Sequence, residues 1–235
     1  MLTDTDTLDH PLATAFLDHI RDAAFPCVGA KSTLTKGQMH RLMARDFSSA
    51  WDDLAIHKAV AELARNYAND PVPFQSLAVI FEADSSLSET QFERILWGKI
   101  QSLSDKDEWL GYPLDARVSA DPDDPHFSLS FGGEAFFIVG LHPNASRPAR
   151  RFERPVLVFN LHAQFERLRE EGRYEKLRKS ILERDMALAG DMNPMLARHG
   201  TVSEARQYSG RVVGQDWKCP FVGRGARQDG DTYDA

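Results

Sequence analysis

Two histidines stand just beyond short apolar runs. His142 follows Ala135-Phe136-Phe137-Ile138-Val139 and the pair Gly140-Leu141, and His162 follows Pro155-Val156-Leu157-Val158-Phe159 and the pair Asn160-Leu161. An imidazole at the end of a buried strand can ligate a metal or a haem iron, or it can be a hydrogen-bonded structural residue, and the sequence leaves both roles open for each histidine. Between them lie Arg147, Arg150, Arg151 and Arg154, in a polar loop whose basicity argues against a place in the core. Guanidinium groups hold carboxylates, phosphates and propionates through paired hydrogen bonds, although a solvated loop is an equally natural reading. Two imidazoles at strand ends beside a guanidinium cluster make a site for an anionic cofactor or substrate.

A third candidate is Cys219, in Trp217-Lys218-Cys219-Pro220-Phe221. The proline interrupts regular pairing, and the neighbouring lysine is expected to lower the thiol pKa, which makes thiolate ligation of an iron chemically sensible. Otherwise a cysteine among aromatics is a small buried hydrophobe, and the same reading applies to Cys27 in Phe25-Pro26-Cys27. Asp121, Asp123 and Asp124, and separately Asp185 and Glu204, offer carboxylates to a cationic substrate or form a solvated face. No HExxH, HxH or facial-triad spacing is present. The stretch Val28-Gly29-Ala30-Lys31-Ser32-Thr33 lacks the second glycine a phosphate loop requires.

The elements that must carry these residues can be read in order. Residues 11–24 predict a short helix ended by Pro26. Ile56, Val60, Leu63 and Tyr67 fall at helical steps within an amphipathic helix over 51–69, and Phe92, Ile95, Leu96, Ile100 and Leu103 trace a second one opened by a Ser88/Gln91 capping box. Buried strands are predicted at 74–81, 126–131, 135–140 and 155–159, with Gly132-Gly133 turning the middle two into an antiparallel hairpin. Residues 105–125 read as an acidic, proline-rich loop. After His162 the pattern is helical to about residue 190, and residues 191–221, long and aperiodic, read as a functional loop or a covering segment. The expectation is one α+β domain over residues 1–221, with a mostly antiparallel sheet of about four strands and helices on at least one face, followed by a disordered tail over 222–235.

Composition narrows the class. The chain has 235 residues, 42% of them apolar, enough for a large core in one domain. Its net charge of −7 is divided unevenly, with a balance of −10 over residues 1–125 and +3 over 126–235, so the basic half carries the histidine-ended strands. An acidic chain without a basic run is a poor nonspecific nucleic-acid binder. Two cysteines exclude a disulfide framework, the acidic start has no signal-peptide form, and no apolar run reaches the roughly 18 residues of a membrane span, so a cytoplasmic protein is expected.

Several blocks together resemble the YqcI/YcgG family: FPCVGAK (25–31), DPDDPHFSLSFGGEAFFIVGLHP (121–143), RRF with RPVLVFNLHAQFE (150–166), NPML (193–196), SEARQYSGR (203–211) and WKCPF (217–221). The resemblance covers about residues 24–221. Some members of that family are haem-dependent N-hydroxylases acting on the guanidinium group of arginine or on related amino compounds. The resemblance therefore implies a haem b monooxygenase that inserts one oxygen atom into an N–H bond, fed by an external electron donor. It transfers no catalytic residue by position. In such a site His162 or His142 would be the iron ligand ahead of Cys219, Arg147, Arg150 and Arg151 would hold the propionates, and Arg206 or Tyr208 would line the pocket. The alternatives are a haem-binding carrier or sensor without oxygenase turnover, and a non-catalytic interaction domain.

Overall fold

The computed structural model describes residues 9–84, 86–195 and 200–224. Five strands form one sheet in the order β1-β2-β5-β4-β3. They are β1 Met39–Ala44, β2 Ser76–Phe81, β3 Leu129–Phe131, β4 Glu134–Leu141 and β5 Val156–Leu161. All neighbours are antiparallel except β1 and β2, which run parallel. Among the described residues the α-helices are α1 Pro11–Arg21, α2 Val28–Thr35, α3 Asp53–Asn69, α4 Glu89–Trp109, α5 His162–Glu170, α6 Tyr174–Ala189 and α7 Ala205–Tyr208. The domain is α+β as the sequence implies, with one more strand than expected.

The additional strand is β1, which parallel pairing with β2 places at the sheet edge, α3 making the crossover. The hairpin forms as predicted. Gly132 and Gly133 both have positive φ (61° and 85°), the conformation of a two-residue turn whose twist matches its strands. The Ser88/Gln91 capping box is formed in both directions at the start of α4.

Strand alternation gives the sheet two different faces. On one, Phe136, Ile138, Leu157, Phe159, Leu77 and Val79 pack against Ile56, Val60 and Leu63 of α3 and Phe92, Leu96 and Ile100 of α4. Gly140 lies on this face because α4 comes too close for a side chain. A Cβ there would sit 2.8 Å from Phe92 Cε1 and 2.9 Å from Leu96 Cδ1. The other face presents Met39, Met43, Ala78, Ile80, Leu141, Val156 and Val158 to Phe16 and Ile20 of α1 and to Phe152. This second face is only partly covered by α1, and a cavity lies where α2, α5 and α6 complete the wall.

The segment from Asp191 onward behaves as the expected cover and also enters the core, where Tyr208 and Phe221 are buried with the first-face cluster. Residues 222–224, expected in the disordered tail, pack against the domain instead. Val222 N donates to Gln101 Oε1 at 2.9 Å, and Arg224 donates to Tyr112 O at 2.8 Å and pairs with the buried Asp107. The rest of the expected tail, residues 225–235, lies outside the described residues, as does Leu196 of the NPML block. Among the described residues no helix is long and apolar enough to cross a membrane.

Candidate functional site

The second face of the sheet is the floor of a cavity of about 300 Å³, at the lower end of the range for small-molecule sites. Val139 and Val158 supply the floor, and Phe16, Phe25, Phe137 and Phe165 supply much of the wall. Phe74, also in the wall, has φ 68°, a left-handed conformation that costs an aromatic residue about 1–3 kcal/mol and persists where its surroundings impose it. The polar groups in this apolar lining include Cys27, Arg147, Arg150, His162, Gln164 and Asp185.

His162 is the first residue of α5, reached directly from β5 with no intervening loop. Its ring is buried in the cavity wall, with Nε2 3.7 Å from Glu166 Oε1 one turn along the same helix. His142 goes elsewhere. It lies on the first face, stacked on the Phe92 ring at 4.2 Å and 17°, and its Nδ1 meets no hydrogen-bond partner among the described residues. Burial lowers its pKa, with Glu89 opposing and Arg150 adding to the effect, so the ring is held neutral. The two imidazoles therefore do not converge. Register explains why: Phe137 pairs with Asn160 and Val139 with Val158, so odd residues of β4 and even residues of β5 face the cavity. His162 continues the cavity-facing parity of its strand, and His142 is out of phase with its own.

Arg147 is buried and Arg150 and Arg154 are half-buried, while Arg151 stays exposed as the loop composition implied; each guanidinium fork satisfies acceptors from more than one residue. Arg147 is 6% exposed and pairs with Asp185 of α6 and with Asp191. Arg150 donates to the carbonyls of Gly140 (3.0 Å), Gln207 (3.1 Å) and Tyr208 (3.3 Å). Burial pulls its pKa down to about 10, while the Cys27 and Asp185 charges oppose that fall. Arg147 and Arg150 line the cavity. Arg151 instead donates to Ala145 O and Ser146 O, and Arg154 to Glu82 O and Asp84, both away from it.

Cys219, Arg206 and Tyr208 also lie outside the cavity. Cys219 packs beside Trp217 against the first-face core. Burial pushes its thiol up to about 12, a backbone hydrogen bond from Phe221 partly opposing. The expected lowering by Lys218 does not occur, since that ammonium turns outward to Asp123 at 3.0 Å. Arg206 lies over the Trp217 ring and donates to Trp217 O and Gly214 O. Tyr208 is 0% exposed, meets Phe137 edge-on at 5.3 Å and donates to Glu204 Oε1 at 2.8 Å, so it is a core pillar rather than a pocket wall. Burial holds its phenol well above the ordinary value. Of the carboxylates, Asp185 and Glu204 reach the cavity, whereas Asp121, Asp123 and Asp124 do not.

Two cavity residues had little weight in the sequence. Cys27 caps α2, its Sγ accepting the Ala30 N–H at 3.4 Å. The sign of it was present: the segment rejected as a phosphate loop is a helix, and Pro26-Cys27 is its entrance. Gln164, two residues beyond His162, gave no signal. Its side-chain nitrogen donates to Gln75 O at 3.2 Å, and its Oε1 is buried without a donor among the described residues.

The model of the YqcI/YcgG family matches residues 16–222, which include every residue that lines the cavity. The chain belongs to the YqcI/YcgG family. Neither the curated proteins nor the solved structures give a match to it. Within this family member the blocks FPCVGAK and RPVLVFNLHAQFE converge on the cavity, bringing Cys27, His162 and Gln164 to one chamber.

Proposed function

We propose that this YqcI/YcgG protein is a haem-dependent N-hydroxylase whose porphyrin and amine substrate share the cavity on the second face of the sheet. The reading is carried by the cavity's donor set. An iron porphyrin requires apolar walls, a nitrogen or sulfur ligand, and cations for its propionates. The cavity offers the phenyl rings of Phe16, Phe25, Phe137 and Phe165, the donors His162 and Cys27, and the guanidiniums of Arg169 and Arg178. The residues fit the group. His162 and Cys27 are the two that would hold its iron.

When bound, the haem would supply activation of dioxygen with electrons from an external reductase. The chain's own residues have separate tasks. The aromatic walls exclude water and lower the local dielectric, which strengthens each polar contact inside. Glu204 places a carboxylate on the wall, where a guanidinium or ammonium group would dock. Glu204 is oriented by hydroxyl donors from Ser128 (2.6 Å) and Tyr208 (2.8 Å). Gln164 Oε1 is an acceptor available to a substrate N–H, and orienting that bond is a positioning task for a side chain fixed at its other end by Gln75.

The test is expression with haem supply, followed by reaction of the purified protein with dioxygen, a reductant and a panel of guanidines and amino acids. The expected result is a Soret-absorbing protein that adds one oxygen atom to a guanidine or amine nitrogen, read by mass analysis. A haem-loaded protein that leaves every amine unchanged would be a carrier or sensor, and a protein that takes up no haem would be neither.

A further inference from the structure

We infer that the iron ligand of this cavity is the sulfur of Cys27, presented as a thiolate from the N-terminus of α2. The inference rests on the haem reading above and goes beyond it by choosing between the two donors. Three observations carry it.

The first is the placement of the sulfur. Cys27 occupies the cap of an eight-residue helix and also lines the cavity. Its Sγ accepts the Ala30 N–H at 3.4 Å, and Gly29 and Ala30 keep the surroundings of the sulfur small. Amide donors at a helix N-terminus stabilise a thiolate and temper its electron donation to a metal. In the apo chain burial raises the thiol pKa, while the Ala30 and Gly29 amides and Arg150 act in the opposite direction.

The second is a charge without a counter-ion. Arg150 makes three hydrogen bonds, all to neutral carbonyls, and forms no ion pair among the described residues. The groups whose charge acts on it favourably are Cys27 and Asp185, and the Asp185 carboxylate is already bonded to Arg147. A half-buried guanidinium that meets only carbonyls is stabilised by a nearby anion. A thiolate at Cys27 supplies it.

The third is independent of the cysteine. Gln164 is 4% exposed, lines the same cavity, and its Oε1 meets no donor among the described residues, although a buried acceptor of this kind normally has one. That oxygen is an acceptor open to a ligand in the chamber. Of the competing donors, His142 and Cys219 belong to the first face, and His162 shares the cavity with Cys27, its Nε2 3.7 Å from Glu166 Oε1.

The ligation step balances simply. The S–H bond of Cys27 breaks, an Fe–S bond forms, and the proton passes to solvent, with no change in the oxidation state of the iron. His162 remains in the wall as a non-ligating imidazole.

The experiment uses the full chain reconstituted with haemin and reads the ferrous–CO spectrum and the ferric low-spin EPR signal. Wild type, Cys27→Ser, Cys219→Ser and His162→Ala are compared. The expected result is a thiolate-type, long-wavelength Soret band in wild type, retained in Cys219→Ser and His162→Ala and lost in Cys27→Ser. The chain has only two cysteines. If Cys27→Ser fails to fold, a thiolate signature retained in Cys219→Ser therefore still assigns the ligand. An imidazole-type band in wild type overturns the inference while leaving the haem reading intact, and so does a thiolate band that disappears in Cys219→Ser. A chain that binds no haem overturns both.

Discussion

Arg147 separates a structural from a ligand-binding role for the arginine loop. In the structure its guanidinium is committed to Asp185, which is 4% exposed, and to Asp191, whose side chain is 73% exposed. The exposed half of this bridge is worth about 0–1 kcal/mol. The buried half differs, because Arg147→Ala strands the Asp185 carboxylate inside the protein, and breaking a buried pair in this way costs about 3–5 kcal/mol. For a domain of this size each kcal/mol lowers Tm by about 2–4 °C, so the predicted fall is roughly 6–20 °C. Urea denaturation of the haem-free protein measures it directly. Asp191→Ala should stay within about 1 kcal/mol of wild type. Arg147→Met combined with Asp185→Leu should recover much of the loss, giving a coupling energy of about 1–3 kcal/mol in the cycle. Were Arg147 reserved for an anionic ligand, its removal would leave the apo protein unchanged. An Arg147→Ala variant as stable as wild type, within about 0.5 kcal/mol, refutes the reasoning.

Two further outcomes follow from close approach and from burial. Gly140→Ala should destabilise by about 1–3 kcal/mol, since the new methyl group meets a Phe92 ring already confined between His142 and Phe47; denaturation at the wild-type midpoint would show that α4 can retreat. The Cys219 thiol, held up to about 12 in the folded chain against about 8.5 when unfolded, adds stability that is complete below about pH 8.5 and is lost as pH rises through the folded value. In a Cys27→Ser background its alkylation should therefore remain slow to about pH 10, and a reaction midpoint near the free-thiol pKa of about 8.5 would contradict the buried placement.

What the sequence made legible depended on whether a single element carried the signal. The helical steps of Ile56, Val60 and Leu63, the Ser88/Gln91 box and the Gly132-Gly133 turn each act locally, and each formed as read. β1 was hidden because an edge strand tolerates polar residues: His40 and Arg41 break the apolar run that marks a buried strand. The site was harder, because it depends on register. His142 and His162 look equivalent along the chain, and only the pairing of Phe137 with Asn160 reveals that they leave the sheet on opposite faces. The arginines were misjudged for a related reason. Their partners are backbone carbonyls and acids distant in sequence, such as Asp185 and Asp191, which composition cannot reveal. Cys27 gained weight only once its helix and the cavity were seen together.

The most direct test of a porphyrin-binding cavity on the second face of the sheet is an optical titration of the apo-protein with haemin. Wild type should be compared with a variant in which Val158, on the cavity floor, is replaced by tryptophan. The account predicts a Soret band that saturates at one haem per chain in wild type and fails to develop in the folded variant. Equal saturation in both proteins would place the haem elsewhere, and no saturable band in wild type would contradict the account altogether.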